Sequence, residues 1–183
     1  MFPIIFLCFL QLCQGNPDAS FIVNMDSQME CCDEQSLTVV DVSGLDVGRY
    51  NETFAYLNGA INILAEVDSR LMIELILQKE ASGSYEVVFS HEVPKFCDEL
   101  EKGPNSDYYT YLKHIDLPES CPFPEGSYAV TEMIVDTEDM PINSNTAGYY
   151  QALLNFYLMP EEGGEKEYVC CLALKLVIET DSK

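Results

Sequence analysis

The side chains best suited to chemistry are two histidines, His91 and His114, six cysteines beyond the N-terminal apolar run, and three clusters of acids. A histidine works as a base when a nucleophile or a carboxylate sits at a defined place beside it. Neither histidine belongs to such a pattern. There is no Gly-x-Ser-x-Gly elbow and no His-Glu-x-x-His, and Ser120, next to Cys121, has no base at a recognisable spacing. The acids Asp98/Glu99/Glu101, Asp136/Glu138/Asp139 and Glu161/Glu162/Glu165/Glu167 lack the alternating ligand spacing of a calcium loop and read as solvated loop charge. No carboxylate pair can be nominated for hydrolysis. The sequence therefore predicts a non-enzymatic protein with no catalytic residues, no metal and no cofactor.

The cysteines Cys31, Cys32, Cys97, Cys121, Cys170 and Cys171 are even in number, which implies disulfides in a secreted chain. Zinc is the competing use, but no Cys-x-x-Cys spacing occurs. Six cysteines allow 15 connectivities. Bridges between adjacent cysteines are strained, so Cys31 and Cys32 are expected to pair across to Cys170 and Cys171. That would staple an N-terminal strand to the C-terminal one. Cys97 and Cys121, if paired, close a loop of about two dozen residues, worth roughly 3 kcal/mol in the chain-entropy account. The loop carries Tyr108, Tyr109, Tyr111, Leu112, His114, Ile115 and Leu117. It reads either as a lid over an apolar site or as a segment packed on a core edge.

The elements that would position these residues are strands. Residues 16–36 are polar and turn-rich, and Leu37 to Val42 is a β-branched run. Asn51-Glu52-Thr53 is a glycosylation sequon, which places Asn51 in an exposed turn. Phe54 to Leu57 leads to a strand end at Asn58-Gly59, after which Ile61, Ile63, Ala65 and Val67 alternate with Asn62, Leu64, Glu66 and Asp68. Leu71 to Leu77 is nearly continuous in apolar residues, as a central strand contacted on both faces would be. Tyr85, Val87 and Phe89 alternate in a further strand, Phe96 to Glu101 suits one helical turn, and Gly103-Pro104 would end it. Tyr128 to Val135, Tyr150 to Leu158 and Cys170 to Ile178 complete the set. Short-spaced strands with little helix, no repeat and no linker predict an all-β, antiparallel β-sandwich or β-cup, one domain over residues 16–183.

With 31 acids against 9 Lys plus Arg, the formal net charge is −22. That excludes nucleic acid, whose phosphates are held by Lys and Arg releasing counterions. It also opposes standing attachment to anionic membranes. Residues 1–15 open with an uncharged apolar run and read as a secretory signal peptide cut after Gly15, so a secreted, extracellular protein is expected. No other run is apolar and long enough to span a bilayer, so the chain is not expected to be an integral membrane protein.

Apolar side chains exceed what one thin sandwich core readily takes up. A sandwich that does not close would leave a pocket for a lipid chain, whereas ordinary core filling is the plainer use. An ordered series of residues bears on this choice. It runs through Leu37-Thr38, Val40-Asp41-Val42-Ser43, Tyr56-Leu57-Asn58-Gly59, Phe96-Cys97, Cys121-Pro122, Pro141, Gly148-Tyr149-Tyr150 and Cys170-Cys171-Leu172. In this series the chain, from about Leu37 to Glu179, resembles the insect relatives of the ganglioside activator protein in the ML lipid-recognition superfamily, and among them the chemosensory CheB proteins. The resemblance implies a β-sandwich or cup whose interior takes up acyl chains. It implies no catalytic residues, and it links the chain to taste and pheromone responses. Trp, common in loops that extract lipids from membranes, is missing, although Tyr108, Tyr109 and Tyr111 can also sit at an interface. The expected partner is a lipid or other apolar small molecule. Its cavity would be lined by Leu71, Ile73, Leu75, Leu154, Phe156, Leu172 and Leu174, with the Cys97–Cys121 loop at its mouth. The alternative is an extracellular interaction module or receptor accessory that uses its acidic surface toward a basic partner.

Overall fold

The computed structural model describes residues 21–51, 54–136, 146–160 and 164–180. The expected leader lies outside these, as do Glu52 and Thr53 of the sequon and Glu138, Asp139, Pro141, Glu161 and Glu162. The chain runs through β1 (Phe21–Met25), β2 (Glu30–Cys31), a 3-10 turn (Ser36–Thr38), β3 (Val40–Asp41), β4 (Leu45–Arg49), β5 (Phe54–Ile63), β6 (Leu71–Ala81) and β7 (Ser84–Val93). There follow α1 (Phe96–Glu101), a second 3-10 turn (Gly103–Asn105), α2 (Tyr109–Leu112), β8 (Gly126–Asp136), β9 (Gly148–Leu158) and β10 (Glu167–Thr180).

The fold is an all-β sandwich in which every paired strand is antiparallel. The first sheet is ordered β1-β10-β9-β6-β7, with β2 also on β10. In the second, β5 pairs with β8 along its length and with β3 and β4 on its other edge. The apolar run in β6 thus lies inside its sheet, between β9 and β7, where apolar side chains on both faces are tolerated.

Three local readings are corrected. The polar stretch 16–36 contains β1 and β2, because Phe21–Met25 finds its ladder on residues 176–180 of the long β10. Only a partner more than 150 residues away makes this segment a strand. Leu37 to Val42 is a 3-10 turn followed by the two-residue β3. There the Asp33 carboxylate accepts the backbone N–H and the hydroxyl of Ser36, and the Thr38 hydroxyl donates to the Gln35 carbonyl. Such local bonds compete with a strand ladder. Asn58-Gly59 is no strand end: β5 runs through it, and the expected strand over Ala65 and Val67 ends at Ile63. Gly59 has φ +121°, and a Cβ there would come within 2.1 Å of the Gly44 carbonyl oxygen. The ladder to β8 shifts register at this point, where Glu132 takes φ 47° and donates its N–H to Asn58. This is a bulge that bends the second sheet.

Buried side chains form three clusters. One joins both sheets through Val40, Val42, Leu45, Val130, Met133, Cys170 and Leu172. A second, of Leu71, Phe96, Cys97, Leu100 and Phe123, seats the segment around α1 on the sandwich. The third, of Val23, Tyr150 and Ile178, lies further along the first sheet.

Candidate functional site

The strand period puts alternate side chains on the inner face, and the registers align them into rows. One row across the first sheet is Val93, Ile73, Phe156 and Cys170, and the next is His91, Leu75, Leu154 and Leu172. All eight line one cavity of about 680 Å³, together with Leu71. The facing sheet contributes Val40, Leu45, Leu57, Ile61, Ile63 and Met133. This volume lies inside the range of small-molecule sites. Among the described residues, no Asp, Glu, Lys or Arg lines it.

Six of the seven residues predicted to line the cavity do so: Leu71, Ile73, Leu75, Leu154, Phe156 and Leu172. Leu174 does not. It shares their face but sits one row further, opposite Ala152, toward the separate cluster of Val23, Tyr150 and Ile178. Alternation identifies a face; how far along the strand a cavity extends depends on what lies opposite.

The loop over the cavity is held at both ends and in the middle. Cys97 and Cys121 are bonded, with Cα atoms 5.6 Å apart. Phe96 and Leu100, one turn apart on α1, are buried, and Phe96 meets Phe123 edge-on at 6.2 Å. Ser106 is buried and donates its hydroxyl to Glu99, whose carboxyl is held below its ordinary range chiefly by the Lys102 ammonium. Residues 114–116 join β8 by a single antiparallel bridge, Ile115 opposite Val130: Thr131 N–H donates to His114 O at 2.8 Å, and Asp116 N–H to Ala129 O at 2.8 Å. Of the predicted lid residues, Tyr108, Tyr111, Leu112 and Ile115 line the cavity. Tyr109 is exposed and takes no part in the lining, because a turn as short as α2 cannot present both Tyr109 and Tyr111 inward.

Polar atoms in the lining are few. His91 and Tyr108 form a 2.8 Å hydrogen bond between Nε2 and the phenol oxygen, linking β7 to the loop. Phe89 stacks beside His91 at 6.4 Å. Cys170 is buried, and its thiol is pushed up to about 12, chiefly by burial and next by neighbouring Cys31. A thiol so raised is a small apolar group rather than a nucleophile. His91, Val93, Met133 and Cys170 were not predicted as lining. The signal for His91 and Val93 was the continuing alternation Phe89, His91, Val93 on β7.

At the terminal staple, one of the two expected bridges is present. Cys32 and Cys171 are bonded, with Cα atoms 5.3 Å apart, whereas Cys31 and Cys170 are free thiols. The β2–β10 register explains the choice. It sets Leu172 opposite Cys31, and Cys32 N–H then donates to Cys171 O, so Cys32 meets Cys171 directly while Cys31 is only diagonal to Cys170. The Cys31 thiol instead donates to Val40 O. Fully buried Ser36 completes the staple by accepting the Cys171 N–H at 2.8 Å. Asp33, held low first by the Tyr168 hydroxyl and then by Ser36, anchors the serine.

Asn51 is exposed, and its side-chain oxygen accepts the Phe54 N–H at 2.9 Å. His114 Nδ1 lies 3.0 Å from Thr131 O, away from any nucleophile pattern. Among the described residues no group of three or more His, Cys, Asp or Glu is placed to hold a metal ion. Among them, too, no helix is long and apolar enough to cross a membrane.

Fold and site together define an antiparallel β-sandwich with an apolar internal cavity beneath a disulfide-closed loop. The family described as "Protein of unknown function (DUF1091)" matches residues 73–152, so a DUF1091 domain is found there. That span begins in β6, carries β7, the loop and β8, and ends in β9. No curated protein matches the chain.

Proposed function

We propose that this protein is a secreted, non-enzymatic carrier of a lipid or other hydrophobic ligand. The observation that supports it most is the cavity of about 680 Å³ between the sheets, with no Asp, Glu, Lys or Arg among the described residues that line it. Ligand burial would be driven by apolar area, at about 25 cal/mol per Å² before the costs of ordering the ligand. Two disulfides fit an oxidising, extracellular compartment. The resemblance to ML lipid-recognition proteins of the chemosensory CheB type points the same way, and makes taste or pheromone perception the setting we favour. Native mass spectrometry of the secreted, disulfide-intact protein, with solvent extraction of bound material, tests the proposal. A stoichiometric lipid is expected. A protein that arrives empty and ignores fatty acids, hydrocarbons, sterols and glycolipids would overturn it.

A second reading, an interaction module or receptor accessory, is favoured by one observation. The edge strand β7 leaves Tyr85, Val87, Val88 and Phe89 exposed, at 43%, 59%, 53% and 51%. An apolar sheet edge is a template for another chain. Partner binding through the acidic surface would weaken steeply with added salt, whereas lipid uptake would not.

A further inference from the structure

Among the described residues, His91 and Tyr108 form a hydrogen-bonded polar pair in the cavity lining. We infer that the His91–Tyr108 pair is a head-group site for a neutral amphiphile with a single oxygen-bearing end, such as a long-chain alcohol, aldehyde or ester. The inference rests on the carrier reading above and narrows its ligand class.

His91 projects from β7 and Tyr108 from the disulfide-closed loop. Both line the cavity, and their 2.8 Å bond spans its rim. His91 shares its cross-strand row with Leu75, Leu154 and Leu172, so a chain lying along that row would bring its end to the pair. Leu75 and Tyr111 are 37% and 46% exposed, which marks this side as the open one, while Cys170 and Leu172, at 4% each, mark the closed end.

The pair can serve either polarity of neutral oxygen. If the phenol donates to Nε2, its oxygen keeps lone pairs for a ligand hydroxyl. If Nε2–H donates to the phenol oxygen, the phenol O–H is free for a ligand carbonyl. A carboxylate finds no equivalent reception. Among the described residues no Lys or Arg lines the cavity, and the chain carries a net charge of −22. An anion withdrawn from water without a cationic partner is disfavoured. A pure hydrocarbon would leave the pair's remaining capacity to water alone. The expected order is therefore alcohol above hydrocarbon above carboxylate at matched chain length. One hydrogen bond would separate the first two by about three- to tenfold.

The test uses the full secreted chain at pH 7.5, with an apolar naphthylamine probe displaced by hexadecane, hexadecanol or hexadecanoate. The double variant His91→Leu with Tyr108→Phe, which removes both polar groups, is measured alongside, because either single change would free the other group to bind the alcohol. The inference expects hexadecanol to displace best from the native chain. The double variant should lose that advantage while hexadecane uptake stays within about twofold, which also verifies that it folds. Equal affinity for hexadecanol and hexadecane, a preference for hexadecanoate, or an alcohol preference that survives the double substitution would each overturn the head-group site and leave the carrier reading standing. Failure of the native chain to take up the probe or any of the three ligands would instead overturn the carrier reading, and this inference with it.

Discussion

Removing the Cys97–Cys121 bridge should weaken the protein while leaving the loop in place. The bonded cysteines are 24 residues apart. A loop of that size costs the unfolded chain roughly 3.5 kcal/mol of entropy in the cross-link account. For a domain of this length that corresponds to a melting temperature lower by about 10 °C. The native geometry predicts a different result for the folded state. The loop is independently seated by buried Phe96, Leu100 and Phe123, and residues 114–116 are hydrogen-bonded to β8. Cys97→Ala with Cys121→Ala should therefore keep its near-ultraviolet circular dichroism at 15 °C, and its uptake of an apolar fluorescent probe should change less than about threefold. Calorimetry in parallel gives the melting temperature. A shift under about 2 °C would refute the unfolded-state argument. Native-like dichroism with lost uptake would refute the seating argument, because it would mean that the bridge itself holds the loop over the cavity.

Four further outcomes can be measured. Gly59→Ala should cost about 1–3 kcal/mol in backbone strain before its clash with the Gly44 carbonyl is added, whereas Gly83→Ala, at φ +83° but with open space around its Cβ, should carry backbone strain alone and cost less; urea titration that ranks them the other way would contradict the bulge. Ser36→Ala strips the buried Cys171 N–H of its acceptor and should cost about 1–3 kcal/mol, read by the same titration. In native protein at pH 8, Cys170 should resist iodoacetamide and then react fully in guanidinium, since burial pushes its thiol to about 12; rapid labelling in the native state would contradict that burial. Asp68 is held to about 2, first by its hydrogen bonds from the Arg70 side chain, which lowers it relative to an unfolded value near 3.9. Its stabilisation is thus present above about pH 4 and lost as pH falls toward 2. The pair is partly exposed, so the effect should stay below about 1 kcal/mol. Asp68→Asn should flatten that limb of the stability curve, and an unchanged difference between pH 6 and pH 2.5 would refute the assignment.

Much of the fold was legible because a strand writes its faces locally. Alternation named Ile73, Leu75, Leu154, Phe156 and Leu172 as one kind of surface, and the sandwich follows from having many such strands with little helix. Cysteine count and position likewise marked the loop and the terminal staple. Register and long-range pairing were not written locally. Phe21–Met25 becomes a strand only beside β10, and β5 continues through Asn58-Gly59 because Gly59, without a Cβ, lets the Gly44 carbonyl approach while Glu132 bonds Asn58. The register of β2 on β10 decides that Cys32, and not Cys31, meets its partner. The same holds for the site. Sequence alone supplied an apolar surplus and a tyrosine-rich loop. Whether the surplus encloses a cavity, where Leu174 falls outside it, and that His91 meets Tyr108 at its rim were decided by how two sheets and a tethered loop pack together, because those contacts join residues that the chain holds far apart.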